Sequence, residues 1–292
     1  MSAPPQPVSL PPALAALRAN RPLLFLLAGA LGGAAGSVLA ENVPAAPGNA
    51  PYWRVLLVTG LWMGTTGAVL AATLVAAGEW HQRRDFRPRQ LGQVLLLGAL
   101  AGLIAGAVAQ AAFSVEVWPP RVHEYVIRPL CWALMGALLG LLLSRTVPNL
   151  GAWRGLLAGA VGGGVGGVGF LLVCQMLPPA LQALARMAGL GTLGLVIAAA
   201  LLVVEKLFRE ASLEVIWAPN EATNFNLGAQ AVTLGGGEDH VFVRGLPPRF
   251  ASIVFADGVI EYVESATGRR TPLKDGSRLE IGKLNLVIHA AK

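Results

Sequence analysis

Residues 155–171 read GLLAGAVGGGVGGVGFL, with Gly155, Gly159, Gly163 and Gly167 four apart and no charged side chain among them. On a helix, positions four apart share one face, so these glycines form a flat strip. In water such a segment is a poor helix, because glycine is costly in a helix interior. In lipid it is a good one, because every backbone group must bond within the segment and small residues let two helices approach closely. The stretch therefore predicts a membrane span that packs through glycine.

Working outward, five more apolar stretches have the roughly 20 residues that a bilayer core requires. The six expected spans are Leu23–Ala40, Val55–Ala77, Leu91–Phe113, Pro129–Val147, Gly155–Leu177 and Ala183–Leu207. Composition agrees: 54% of the 292 residues are hydrophobic and only 13% are charged, and the mean hydropathy is +0.60. Asp, Glu and Lys are absent from the middle of every span, and Arg186, near the start of the sixth, is expected to snorkel to the interface. Residues 1–20 are Pro-rich, lack the apolar core of a secretory signal, and read as a flexible or surface-lying tail.

The net charge of +6 does not point to nucleic acid, because the arginines flank apolar spans. Arg18, Arg21, Arg83, Arg84, Arg87, Arg89, Arg145, Arg154, Lys206 and Arg209 all fall on one side of an alternating six-span chain. On the other side Arg54, Arg121 and Arg128 are offset by Glu41, Glu116 and Glu124. This bias predicts a multi-pass membrane protein with both termini cytoplasmic.

The spans also repeat. GALGGAAG at 29–36 recurs as GALAGLIAG at 98–106 and as GAVGGGVG at 159–166. Each copy precedes a helix containing Met63-Gly64, Met135-Gly136 or Met187-Ala188-Gly189. Three tandem helical hairpins with a period of roughly 60–70 residues are expected. Gly29 and Gly33; Gly98, Gly102 and Gly106; and Gly155, Gly159, Gly163 and Gly167 are the helix-packing candidates. The odd-numbered spans are expected at the centre of the bundle, and exposed strips would also serve self-association. A pore or transporter is the functional alternative, with Gly162–Gly169 as a place for local unwinding. Its polar inventory is thin: Gln93, Gln110, Gln175, Thr59, Thr65, Thr66 and Ser144.

After Arg209 the pattern changes to period-two alternation with turn signals. Strands are expected at Leu213–Trp217, Asn224–Leu227, Ala231–Leu234, His240–Val243, Ala251–Phe255, Val259–Glu264, Arg278–Ile281 and Leu284–His289. Asp257-Gly258 and Asp275-Gly276 mark turns. The organisation is thus a tail at 1–20, a transmembrane bundle at 21–209 and an all-β sandwich or small barrel at 211–292.

Thr233-Leu234-Gly235, Phe250-Ala251-Ser252-Ile253, Gly258, and Leu273-Lys274-Asp275-Gly276-Ser277-Arg278-Leu279-Glu280-Ile281-Gly282 resemble a forkhead-associated domain. The junction from Val204-Glu205-Lys206-Leu207-Phe208 into Ala211-Ser212-Leu213-Glu214-Val215 is similar to bacterial membrane proteins that join Gly-rich hairpins to such a domain. The resemblance implies an eleven-stranded sandwich that reads phosphothreonine. The departures are at the phosphate site: Gly236 stands where the family has Arg, Pro247 and Phe250 where it has Ser and His, and Ala266–Arg270 replaces the Asn-Gly-Thr loop. A phosphate dianion needs charge-assisted donors in fixed geometry. Arg244, Arg249, Arg269 and Arg270 are the remaining candidates for an anionic ligand or partner, or for anionic headgroups.

No catalytic constellation is expected. His81, His123, His240 and His289 lack metal-ligand spacing, Cys131 and Cys174 sit in apolar spans, and Gly235-Gly236-Gly237 lacks the Lys-Ser/Thr of a phosphate loop. The sequence predicts a non-enzymatic membrane-anchored scaffold or signalling adaptor, needing no cofactor or metal, with the bilayer and a cytoplasmic protein as partners and no nucleic acid. A channel or transporter regulated by the β domain is the alternative.

Overall fold

The computed structural model describes residues 11–84, 87–115, 117–145, 149–218, 221–228, 230–236, 239–243, 245–256, 258–282 and 284–290. Seven helices precede two β-sheets among them. After a short helix, α1 (Pro12–Ala19), come α2 (Arg21–Ala40), α3 (Tyr52–His81), α4 (Pro88–Phe113), α5 (Pro120–Leu143), α6 (Ala152–Met176) and α7 (Gln182–Leu207). The last six are long and apolar enough to cross a membrane, the architecture of a multi-pass membrane protein.

Three local differences from expectation have simple causes. Residues 12–19 are helical rather than a flexible tail: Pro12 sits at the helix start, where its missing N–H costs nothing, and ALAALRA follows. Leu17 then packs against the bundle core. Helix α5 begins at Pro120, not Pro129, and passes through a π-turn at His123–Ile127. Helix α6 continues unbroken through Gly162–Gly169.

The six spans pack in chain order around a ring, and α2 closes it against α7. Ion pairs hold that closure at both ends. Arg21 forks onto Glu205, with Nη2 to Oε2 at 2.6 Å, and Arg186 Nε meets Glu41 Oε1 at 2.7 Å. Arg186 is therefore paired where it stands near the start of its span.

The expected centre is reversed. The fully buried large side chains are Leu70 and Leu74 of α3, Met135 and Leu139 of α5, and Leu190, Leu193 and Ile197 of α7. The glycine-rich helices α2, α4 and α6 lie outside and turn Leu31, Leu96 and Val161 outward, each at least 60% exposed. Glycine strips let those helices nest into the grooves between the leucine-rich ones. Bulky side chains are what fill the axis.

The contacts are backbone to backbone. A Cβ at Gly29 or Gly33 would lie under 3.0 Å from Gly194 O or Leu190 O of α7. Gly98, Gly102 and Gly106 meet Gly67, Met63 and Thr59 of α3, while Gly155, Gly159 and Gly163 meet Gly140, Gly136 and Trp132 of α5. Gly167 packs on the Trp132 ring. A second strip, three residues on, serves the other neighbour: Gly32 and Gly36 face α3, and Gly162 and Gly166 face α7. In α4 the corresponding positions are Ala101 and Ala105, and the α4/α5 seam is the loosest in the ring.

The β region has a four-stranded sheet in the order β2-β1-β9-β8 and a five-stranded sheet in the order β4-β3-β5-β6-β7, with no closed barrel among the described residues. The strands are β1 (Ala211–Ala218), β2 (Glu221–Leu227), β3 (Val232–Gly235), β4 (Val241–Phe242), β5 (Ala251–Ala256), β6 (Val259–Glu264), β7 (Arg270–Leu273), β8 (Arg278–Ile281) and β9 (Leu284–Ala290). Leu213, Val215, Leu286 and Ile288 from the first sheet and Val232, Leu234 and Ile253 from the second share one apolar core. Strand β7 was not expected, because Pro272 interrupts its pattern. It lies at a sheet edge, where a missing N–H is tolerated. Of the expected turn residues, Gly258 and Gly276 take φ of +79° and +76°, which glycine alone adopts freely; Asp257 lies outside the described residues.

Candidate functional site

Two regions bring charged side chains together. The first is the junction between bundle and β region. Glu205, near the end of α7, is only 6% exposed and receives the Arg21 guanidinium. It also accepts from Asn226 Nδ2 of β2 at 2.9 Å, and Arg209 Nη2 lies 4.0 Å away. A buried carboxylate is costly unless it is paired and hydrogen-bonded. Here a helix start, a helix end and a strand all contribute.

Other contacts fasten the same interface. Asn149, between α5 and α6, has a φ of +59°, a conformation asparagine tolerates well. Its Nδ2 donates to Asn226 O at 2.9 Å and Gln230 O at 3.1 Å, and its Oδ1 accepts from Gln230 N at 2.9 Å. Arg83 stacks over Trp217 at 5.1 Å and Arg154 over Phe208 at 4.6 Å. His81 Nδ1 donates to Arg18 O at 2.8 Å, which ties α1 to the end of α3. Buried Glu79 pairs with Arg84 at 3.7 Å.

Sequence reasoning missed Glu79, His81, Glu205 and Asn149. All four stand beyond or at the ends of apolar spans, where polar residues are ordinary. Only the tertiary fold buries the first three and brings Asn149 to β2. The signal available was the conjunction of two acids, Glu79 and Glu205, on the arginine-rich side of the chain.

The second region is one end of the five-stranded sheet. Ser265 N donates to Phe250 O at 3.1 Å, so the loop before β5 and the turn after β6 meet there. This brings Arg249 and Arg269 to one end, both exposed, with Arg270 opening β7 beside them. Arg244 lies outside the described residues. Arg249 is held in a left-handed conformation, φ +52°, and its N–H donates to buried Asp239 at 2.8 Å. Arg270 is already paired with Glu261 at 3.1 Å, while 70% exposed. The turn is built by Gly268 N to Glu264 O at 2.9 Å and Thr267 Oγ1 to Glu264 Oε2 at 2.7 Å.

Gly236 is closed rather than open at this end. Its N–H donates to Pro247 O at 3.1 Å, and a Cβ there would fall far inside the contact distance of Leu246 O. Next to it, His240 Nδ1 accepts from Thr233 N at 3.1 Å. Burial holds the His240 pKa below its ordinary value of 6.5, and the nearby Arg84 charge acts in the same direction.

Remote from the β region, an apolar crevice of about 410 Å³ opens near the loose α4/α5 seam, lined by Trp62, Phe113, Trp132 and Phe170. Thr59 Oγ1 donates to Gln110 at 3.1 Å within it, and Arg128 lies over Phe113 at 5.4 Å. Among the described residues no group of three His, Cys, Asp or Glu is placed to hold a metal ion, and Cys131 and Cys174 are both free thiols. Neither protein-family models, nor curated proteins, nor solved structures give a match to this chain.

Proposed function

We propose that the chain is a non-enzymatic, membrane-anchored interaction protein that presents a forkhead-associated-like β sandwich to the cytoplasm from three glycine-strip hairpins in a bacterial inner membrane. The observation that carries this reading is the junction. Buried Glu205 takes hydrogen bonds from Asn226 as well as Arg21, so the β region is held to the bundle in one orientation. A rigid mount of that kind suits a docking platform. The loop end of the five-stranded sheet, with Arg249 and Arg269 exposed, is the surface we assign to an acidic protein partner.

Ordinary phosphothreonine reading is not part of the proposal. Gly236 stands where the family carries its phosphate-binding Arg, and Leu246 O occupies the space that any side chain there would need. A channel or transporter is disfavoured by the apolar side chains of Leu70, Met135 and Leu193 on the bundle axis.

The test is affinity capture of the full chain from native membranes, beside an Arg249→Glu/Arg269→Glu variant. A partner held by the first and lost from the second supports docking at this end. Identical partner sets would count against it, and solute flux through liposomes holding only the purified chain would favour the transport alternative.

A further inference from the structure

At the level where α2 begins and α7 ends, a cavity of about 500 Å³ lies between α1, the ends of α2, α3 and α7, and strand β2. Its wall has two characters. Pro22, Leu202 and Val203 make an apolar side continuous with the span surface, where Val203 is 55% exposed. Arg21, Lys206 and Arg209 make a cationic side, with Glu205 as the acid in the lining. Three cations against one carboxylate leave an excess of two positive charges.

Among the described residues Glu205 is the one acid paired with these cations. Glu205 already takes both oxygens' worth of donors from Arg21 and a further bond from Asn226. Arg209 reaches it only at 4.0 Å, and Arg209 Nε is buried with no hydrogen-bond partner among the described residues. That nitrogen is covered by protein, but the Arg209 side chain as a whole is 32% exposed and lines the cavity. Lys206 is exposed beside it.

We infer that this cavity binds the headgroup of an anionic phospholipid, with phosphate against Arg209 and Lys206 and acyl chains running along Leu202 and Val203. The position decides for a lipid over a free anion, because the cationic wall sits at the end of two membrane spans and its apolar wall continues onto the lipid-facing side of α7. Arginine at such a depth recognises phosphate bidentately. A lipid seated there would touch α1, α2, α7 and β2 together, and so brace the junction.

The experiment is thermal unfolding and native mass spectrometry of the full chain in detergent with phosphatidylglycerol, phosphatidylcholine or inorganic phosphate. We expect phosphatidylglycerol alone to raise the melting temperature and to stay bound in the gas phase. Arg209→Gln/Lys206→Gln should weaken that binding about tenfold, and Arg121→Gln, exposed elsewhere on the chain, should leave it unchanged. Arg209→Lys, which keeps the charge and loses the fork, should fall between them. Equal stabilisation by phosphatidylcholine, equal binding by the double variant, or full stabilisation by phosphate alone would each overturn the assignment.

Discussion

Asn226 Nδ2 donates to Glu205 Oε1 at 2.9 Å, a hydrogen bond between a β-strand and the last turn of a membrane helix. Glu205→Ala removes the counter-charge of Arg21, which is only 15% exposed. Breaking a buried pair by removing one partner costs about 3–5 kcal/mol. Asn226→Ala removes a single bond to a charge and should cost about 1.5–3 kcal/mol. Limited proteolysis between α7 and β1 should accelerate strongly in the first variant and modestly in the second. Equal cleavage of both variants and wild type would refute the coupling.

The glycine strips predict an asymmetry between positions. Gly102→Leu or Gly163→Leu should lower the melting temperature in detergent sharply, because a Cβ there lies under 3.0 Å from the Met63 or Trp132 carbonyl of the neighbouring helix. Gly92, also in α4, has nothing within 4 Å of its Cβ position. Gly92→Ala should therefore be neutral or stabilising by up to about 1 kcal/mol.

Placing an arginine at Gly236, where the resembled domains carry theirs, should not create phosphopeptide binding. Gly236→Arg drives its Cβ into Leu246 O and breaks the Gly236 N–Pro247 O bond. The expected outcome is a loosened loop before β5, read as increased hydrogen exchange at Val243–Phe250, with no phosphothreonine-peptide affinity by isothermal titration in either protein.

His240 gives the β region a pH dependence of known sign. Its folded-state pKa is lowered, first by burial and then by Arg84. The unfolded chain therefore binds more protons just below pH 6.5, and stability rises with pH through that window. The contribution is present above about pH 6.5 and lost as the pH falls toward the depressed value. Thermal unfolding from pH 8 to pH 5 should show that loss, and His240→Asn, which keeps an acceptor for Thr233 N, should flatten it.

The spans were legible because length and apolarity are local properties: Arg21–Ala40 and Pro88–Phe113 can be found with no knowledge of their neighbours. The sheets were legible where alternation was regular, as in Leu284–Ala290, and failed at Pro272, where an edge position excuses the missing donor. Glycine spacing announced close contact but not which helix lies inside, since Gly102 touches Met63 whichever of the two is peripheral. The charged junction was the least legible. Glu205 and Asn226 are 21 residues apart in the chain, and Asn149 and Asn226 are 77 apart, so neither pairing leaves a local trace.

The closure of α2 against α7 bears on how the chain is made. Helix α2 is completed by α7, made well over a hundred residues later, which supplies Gly194 and Leu190 to its glycine face, Glu205 to Arg21 and Arg186 to Glu41. During synthesis α2 waits in the bilayer with that face uncovered until α7 is inserted. A chain cut before Glu205 would leave Arg21 without its carboxylate and bring no strand to hold the β region against the bundle.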